Sequence, residues 1–168
     1  MIKITKDNFM DQAYPVFRKF SRQLGVLTAG TEGNFNSMTI GWGMLGNVWG
    51  HAPGITVYVS PDRYTFRFLE ENDLFTVCFF DEAYRGDVMT LGTTSGRDGD
   101  KIAKTSLTPV ALPGAVGFQE AELTLVCRKV YAAQFNIEKL PDFTRDMYKR
   151  FAPHYEYIGV IEDAFGAI

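Results

Sequence analysis

Large apolar residues alternate with small residues along positions 36–44, which is the most regular pattern in the chain. The apolar set is Met38, Ile40, Trp42 and Met44, and the small set is Ser37, Thr39, Gly41 and Gly43. A period of two predicts a β-strand with unlike faces. On the small face a ligand could approach the backbone closely, because glycine has no Cβ and hydroxyls donate without bulk. The same pattern also suits an edge strand of a barrel with a bend and no ligand.

Further segments have the composition of strands, with turn-forming residues between them. They are 24–31, 54–60, 74–80, 121–135 and 155–161. The run at 74–80 is almost wholly apolar, which is typical of a strand buried on both faces. Residues 32–36 predict a turn, so the strands on either side of it are expected to pair as a hairpin. Residues 6–20 are expected to form a short helical or irregular segment that covers the core.

Apolar residues at helical spacing predict three short helices, which begin after Asp62, Asp81 and Pro141. In the first, Asp62 is expected to be the N-cap and Asn72 to end the helix. The second is expected to end at Gly92. The apolar faces are Phe66 and Leu69 in the first helix, Tyr84, Val88 and Leu91 in the second, and Phe143, Met147 and Phe151 in the third.

Residues 92–117 are rich in Gly, Ser, Thr and Pro and show no clear periodicity. Long loops inside a compact domain tend to be functional or disordered. The charged residues at 97–101 argue against a linker without a function. The segment is therefore predicted to be a lid over a binding site. The alternative is that Asp98, Asp100 and Lys101 form a solvated surface run.

Composition places the chain among soluble globular proteins. Its 168 residues, of which 46% are hydrophobic and 22% charged, predict one compact domain over 1–168. The net charge of −3 gives no overall attraction to nucleic acid or anionic lipid. The amino terminus lacks the apolar core of a signal peptide, and the run at 74–80 is too short to cross a membrane. Cys78 and Cys127 form no CxxC pair and are expected to be buried thiols. These features predict a cytoplasmic protein.

Two known motifs match parts of the sequence, but neither has the structural context that its function requires. Residues 41–46 spell GxGxxG, but that fingerprint must open a helix, and the glycines and proline at 50–54 cannot sustain one. Residues 98–101 resemble the start of a calcium loop but lack its later ligands. His51 and His154 have no carboxylate or histidine partner at ligand spacing, so no metal site is predicted.

An anion site remains at the predicted start of the first helix. Arg63 and Thr65 would lie in its first turn, where free N–H groups and the helix dipole favour a phosphate, and Ser60 closes the preceding strand. Asp62 would repel a phosphate unless it turns away to cap the helix. The alternative is an ordinary helix start with a solvated arginine.

The sequence resembles the flavin reductase-like family, which includes the flavoredoxins, over roughly residues 20–162. Three motifs in order carry the resemblance: Asn36-Ser37-Met38-Thr39-Ile40-Gly41-Trp42-Gly43, then Arg63-Tyr64-Thr65, then Thr94-Ser95-Gly96-Arg97-Asp98-Gly99-Asp100-Lys101 followed by Leu107-Thr108-Pro109. One departure is Ser60, where many relatives carry a basic residue.

The resemblance implies a fold that is mainly β with short helices, an FMN-binding split β-barrel of Greek-key-like antiparallel strands. It also implies a homodimer with FMN in a groove at the interface. Backbone amides near 36–39 would bind the flavin ring, the 95–101 loop would reach it, and Lys101 would neutralise charge on the reduced ring. The residues assigned to the cofactor are Asn36, Ser37, Met38, Thr39, Trp42, Ser60, Arg63, Tyr64, Thr65, Ser95, Gly96 and Lys101. A groove lined by Trp42, Trp49 and Tyr64 would leave an apolar patch in water, which also favours a dimer.

The leading hypothesis is an oxidoreductase that passes reducing equivalents between NAD(P)H and an acceptor through bound FMN. No acid–base pair is expected, because hydride and electron transfer belong to the cofactor. One alternative is a flavoredoxin-type electron carrier, or flavin-binding module, that turns over no small molecule and serves an electron-transfer protein. Another is a barrel that binds an apolar ligand and no flavin.

Overall fold

The computed structural model describes residues 1–166 as strands joined by short helices. The strands are β1 Ile2–Ile4, β2 Gly25–Thr31, β3 Asn34–Ile40, β4 Gly43–Val48, β5 Ala52–Val59, β6 Leu74–Phe79, β7 Pro109–Leu112, β8 Ala115–Phe118, β9 Leu123–Gln134 and β10 Tyr155–Gly166. The α-helices are α1 Lys6–Asp11, α2 Val16–Arg18, α3 Tyr64–Glu71, α4 Arg85–Thr93 and α5 Asp142–Arg145. One π-helical turn, Lys19–Gln23, follows α2.

The main sheet is antiparallel throughout and has the order β3-β2-β6-β9-β10-β5-β4, with β1 paired to the end of β10. Its two ends, β3 and β4, are joined in the chain by Gly41 and Trp42 alone. The sheet must therefore curl until its ends approach each other, which makes an incompletely closed barrel. The predicted split barrel is confirmed, as is the hairpin of β2 and β3.

The core fills the barrel and continues behind β6. Leu27, Val57 and Leu125 are fully buried inside the barrel. On the other side of β6, Cys78 packs with residues of α4 and β8 in a second cluster. The apolar run at 74–80 therefore forms a strand buried on both faces, as its composition predicted.

Two strand and helix boundaries differ from the predictions. The expected strand over 36–44 breaks at residues 41–42, and β4 turns away to pair with β5. Gly43 makes this turn possible, because a Cβ there would lie 2.3 Å from the ring of Phe20. The second helix ends at Thr93 rather than at Gly92, which packs against Thr39 instead of capping the helix.

The segment 92–117 is folded, so its interpretation as one long loop is wrong. It contains two 3₁₀ turns, at Gly96–Asp98 and Ile102–Lys104, and most of the β7–β8 hairpin. Leu107 is 5% exposed and packs in the second cluster. The contacts that hold this segment are spread over α4, β2 and β6, and a local periodicity cannot reveal them.

The third predicted helix is only partly formed. It consists of α5 and a 3₁₀ turn at Asp146–Lys149, and its apolar residues do not face the core. Phe143 is 78% exposed and Phe151 is 63% exposed. The helical spacing of these apolar residues therefore predicted a buried face, but their side chains are exposed in the single chain.

Both cysteines are buried and unpaired, as predicted. Burial raises the pKa of the Cys78 thiol to about 11, so it is unreactive at neutral pH. No helix among residues 1–166 has the length and apolar character needed to cross a membrane.

Gly159→Ala should destabilise the fold, because Gly159 faces the core within β10. An added Cβ would lie 2.6 Å from Phe75 Cζ and 2.9 Å from Cys127 Cβ, and Phe75 is too buried to move. Overpacking of this kind costs about 1–3 kcal/mol. Urea unfolding measures the loss. Gly46→Ala, at a strand position with no atom within 4 Å of the added Cβ, is the matched control and should cost almost nothing.

Candidate functional site

Three segments that are distant in the chain enclose a cavity of about 160 Å³: strand β3, the start of α3, and the end of α4 with the residues after it. Eight of the twelve residues assigned to the cofactor line it, namely Asn36, Met38, Arg63, Tyr64, Thr65, Ser95, Gly96 and Lys101. The cavity is polar and rich in positive charge.

Asn36 joins the three segments. Its side-chain amide is almost wholly buried, and Nδ2 donates to Thr65 Oγ1 at 2.6 Å. The third segment presses against the same side chain, since a Cβ at Gly96 would lie 2.3 Å from Asn36 Oδ1. Only glycine allows this approach. Asn36 therefore fixes β3, the first turn of α3 and the 3₁₀ turn at 96–98 relative to one another.

The start of α3 is open to an anion. Arg63, not Asp62 as expected, is the N-cap residue, and no side chain caps the helix. Asp62 turns back to Ser60, whose Oγ accepts from the Asp62 N–H at 3.3 Å. The exposed Arg63 guanidinium donates to the Gly92 carbonyl at 3.4 Å. The first turn thus combines uncapped N–H groups with a nearby cation, the combination that favours a phosphate.

Lys101 is a buried cation beneath this cavity and is only 5% exposed. Its Nζ donates to the carbonyl oxygens of Leu91 at 2.9 Å and Thr94 at 3.2 Å, at the C-terminal end of α4. Burial, assisted by the positive charge of Arg63, lowers the pKa of Lys101 to about 8. Lys101 is therefore neither part of a solvated surface run nor the tip of an open lid.

Two predicted site residues are engaged within the protein instead of facing the cavity. Ser37 is fully buried, and its Oγ lies 2.8 Å from Thr28 Oγ1. Thr39 Oγ1 donates to the Val88 carbonyl of α4. The small face of the 36–44 pattern is thus covered by β2 and α4. The prediction that these hydroxyls lie on a bare face open to a ligand is wrong.

Trp42 lies between β3 and β4, is 45% exposed and does not line the cavity. Ser60 lies in the turn before α3 and does not line the cavity. Trp49, expected to share a groove with Trp42 and Tyr64, lies instead in the β4–β5 turn, where its φ is 43°. It lines neither this cavity nor a second, larger cavity of about 670 Å³ that shares residues with it.

His154 lies beside Trp42 and near the charges of Arg63 and Asp62, a neighbour that the sequence did not reveal. Its ring centre lies 4.9 Å from that of Trp42, and its Nδ1 is buried without a hydrogen-bond partner among residues 1–166. Burial and the positive charge of Arg63 lower its pKa, against a weaker opposite effect of Asp62. His154 directly precedes β10, so only the folding of the barrel brings it next to Trp42.

Lys101→Met should remove a pH dependence of stability. The pKa of lysine is ordinarily near 10.5 and that of Lys101 is about 8, so between these values the unfolded chain binds more protons. The free energy of unfolding of the parent should therefore rise, relative to that of Lys101→Met, as pH increases from 8 to 10.5. Urea unfolding on both sides of pH 8 measures this difference.

Lys104→Met, at an exposed position in the same segment, is the control for that experiment. A difference between the parent and Lys101→Met that stays constant with pH would show that Lys101 has an ordinary pKa.

No three His, Cys, Asp or Glu side chains within residues 1–166 are grouped as a metal ion would need. The cavity also lacks a carboxylate–histidine pair among its lining residues. Its chemistry is that of binding a charged group.

Comparisons with known proteins agree with this geometry. A family model described as the flavin reductase like domain matches residues 17–138. Flavoredoxin from Methanosarcina acetivorans is 25% identical over 86% of this chain and 68% of its own, with a TM-score of 0.67. Flavoredoxin of Desulfovibrio vulgaris (Miyazaki F) is 21% identical over 93% of this chain and 76% of its own, with a TM-score of 0.68.

An FMN-binding protein from Thermus thermophilus, solved with bound p-hydroxybenzaldehyde, is similar in fold: 17% identity, 94% of this chain, 79% of its own, and a TM-score of 0.69. No curated protein sequence matches the chain. The family model spans every residue from the π-helical turn to the end of β9, including the three motifs and the cavity they enclose. The chain therefore belongs to the flavin reductase like family of flavin-linked oxidoreductases.

Proposed function

We propose that this protein binds FMN and passes reducing equivalents between NAD(P)H and an acceptor. The observation that carries the proposal is the convergence of β3, the uncapped start of α3 and the buried Lys101 on one cavity. The cytoplasmic location and the single domain predicted from the sequence are part of the same proposal. Bound FMN would supply the hydride and electron transfer, and the protein would bind, orient and tune it.

The phosphate end of FMN fits the first turn of α3. The helix has no capping side chain, so its first N–H groups are available to phosphate oxygens. Arg63 adds a charge-assisted donor beside them. Asp62 does not oppose this arrangement strongly, because its carboxylate interacts with Ser60 and is exposed to solvent.

The flavin ring fits the free edge of β3. Among the strands of residues 1–166, β3 hydrogen-bonds only to β2, so alternate backbone N–H groups on its other edge have no strand partner. Such groups suit the carbonyl oxygens along one edge of the ring. Met38 supplies an apolar wall, and Lys101 places a positive charge below the cavity.

The cavity alone is too small for the whole cofactor. Pockets that hold ligands of this size span about 300–1,000 Å³, and this cavity measures about 160 Å³. The ring would therefore extend beyond the cavity, past Arg63 toward His154 and Trp42. Those side chains are partly exposed in the single chain, so a second copy of the chain would complete the site.

The outer face of the sheet offers a surface for that second copy. Met44, Thr56, Ile158 and Tyr131 stand in cross-strand register on β4, β5, β10 and β9. Residues opposite each other in antiparallel strands share a face, so these four form a row. Met44 is 55% exposed and Tyr131 is 46% exposed. An apolar row of this kind is costly in water, and we therefore include a homodimer in the proposal.

The exposed ring of Trp42 also favours a second candidate, an electron carrier. An aromatic side chain at the mouth of the flavin site would give a redox protein a close contact. Anaerobic addition of NAD(P)H to the flavin-loaded protein distinguishes the two functions. Rapid bleaching of the flavin supports the oxidoreductase, and an unchanged spectrum at millimolar nucleotide supports the carrier.

Arg63→Ala should weaken FMN binding by about 1.5–3 kcal/mol, or roughly 10- to 150-fold in Kd, because a charged donor to the phosphate is lost. Quenching of flavin fluorescence measures the Kd. Arg18→Ala, at an exposed position on α2, is the control and should bind as the parent does. Equal affinities of Arg63→Ala and the parent would remove Arg63 from the site.

The dimer should be detected by light scattering as a particle of about twice the chain mass of 18.9 kDa. Met44→Glu should shift it toward the monomer, since a charge in the apolar row would be buried unpaired. Met10→Glu, on the exposed side of α1, should leave the mass unchanged. A flavin-loaded parent that remains a monomer at micromolar concentration would contradict the dimer.

A further inference from the structure

A separate cavity of about 200 Å³ lies at the start of α4, and nothing proposed above uses it. Its walls are the π-helical turn with the residue before it, the residues that follow β6, the first residues of α4, and the residue before β9. It shares no lining residue with the candidate flavin site, which lies at the other end of α4. A helix of nine residues is about 13 Å long at 1.5 Å per residue. The two cavities are therefore distinct sites.

Three arginines, Arg18, Arg22 and Arg85, line this cavity. Arg18 and Arg22 are four residues apart, a spacing that places side chains on the same side of a helical turn. Arg85 Nη1 donates to the backbone carbonyl of Arg22, which holds the Arg85 guanidinium beside the π-helical turn. Within residues 1–166, no Asp or Glu oxygen lies within 4.0 Å of a side-chain nitrogen of these arginines. Their guanidinium groups therefore keep donors for a ligand.

Three acids also line the cavity, but two of them are engaged by the protein. Asp81 Oδ1 accepts from the N–H of Ala83 at 2.9 Å. Glu122 Oε2 accepts from Gln23 Nε2 at 3.2 Å. The third acid, Glu82, is exposed to solvent. The acids in the wall thus neutralise the arginines only weakly.

Lys19 is a buried cation behind this wall and is only 7% exposed. Its Nζ donates to Gln23 Oε1 at 3.4 Å and lies 3.9 Å from Glu122 Oε2. The same ammonium lies 5.0 Å from the ring centre of Phe79. Burial lowers the pKa of Lys19, Glu122 opposes this effect, and the charge of Arg18 adds to it. Lys19 is therefore a buried positive charge without a close carboxylate.

The charge and the size of the cavity suit a small dianion. The three arginines and Lys19 outnumber the three acids by one charge, although the whole chain has a net charge of −3. Guanidinium groups bind phosphate and carboxylate groups through two parallel hydrogen bonds. A volume of about 200 Å³ equals that of roughly seven water molecules and lies below the range of about 300–1,000 Å³ for drug-sized ligands. A nucleotide is too large for this cavity.

We propose that this cavity binds a small organic dianion, either a phosphomonoester or a dicarboxylate. Its anionic groups contact Arg22 and Arg85, with Arg18 as a third donor. Phe80 and Val88, which also line the cavity, contact the carbon atoms of the ligand. The inference goes beyond the proposed function and does not depend on it, because the two sites share no residue.

Calorimetric titration of FMN-loaded protein with glycerol 3-phosphate and with succinate, at constant ionic strength, tests the proposal. FMN then occupies the flavin site, so the probe cannot bind there. At least one probe should bind saturably. Arg22→Gln and Arg85→Gln should weaken its binding by about 10-fold or more, because each removes a charged hydrogen bond. Arg150→Gln, an exposed arginine outside the cavity, is the matched control and should bind as the parent does.

Two results of these titrations would overturn the proposal. One is that neither probe binds saturably to the parent, and the other is that neither Arg22→Gln nor Arg85→Gln weakens the binding. The probe that binds identifies the source of the dianion: glycerol 3-phosphate stands for phosphomonoesters and succinate for dicarboxylates. If both bind, they should compete for one site, and binding without competition would also overturn the proposal.

Hydrogen–deuterium exchange gives a readout without mutation. The probe that binds should slow exchange in 18–23 and 81–88 and leave 63–67 unchanged. Protection at 63–67 alone would place the probe at the flavin site and would overturn the proposal.

Failure of the proposed function is a different result. A protein that never binds FMN has lost that function, and titration of the flavin-free protein then decides the dianion site by itself. Binding weakened by Arg22→Gln or Arg85→Gln supports the site. Binding weakened only by Arg63→Ala takes place at the start of α3 and overturns it.

Discussion

The hydrogen bond from Asn36 Nδ2 to Thr65 Oγ1 is the contact on which the site depends. A buried amide without a partner is costly, so the bond fixes where α3 begins relative to β3. Gly96 then packs against the same amide, and its lack of a side chain lets residues 94–101 close the third wall. Each wall comes from a different part of the barrel, and the site exists only when all three are in place.

The ends of two helices set the electrostatics of this arrangement. The C-terminal carbonyls of α4 hold the Lys101 ammonium, which keeps a buried cation beneath the cavity although burial lowers its pKa. The uncapped N terminus of α3 faces the cavity from the other side, beside Arg63. Both features favour an anion in the same small volume. Arg67 and Arg97 stack on the ring of Tyr64 and extend the positive surface beyond the cavity.

Local patterns predicted most of the strands and the first two helices, because each of these buries residues that alternate or repeat within one segment. The sequence also identified eight of the residues that line the smaller cavity. It failed where the outcome depends on distant partners. Ser37 and Thr39 look available to a ligand until β2 and α4 cover them. His154 contacts Trp42 only because the barrel brings the residues before β10 to the connection between β3 and β4.

Hydrogen–deuterium exchange on adding FMN tests the central claim most directly, because it locates the ligand without mutation. The account predicts slower exchange in 34–40, 63–67 and 92–101, with no change in 9–16 and 45–47, which line a separate apolar cleft elsewhere on the barrel. Protection confined to that cleft, or FMN binding that leaves 34–40 and 63–67 unchanged, would contradict it.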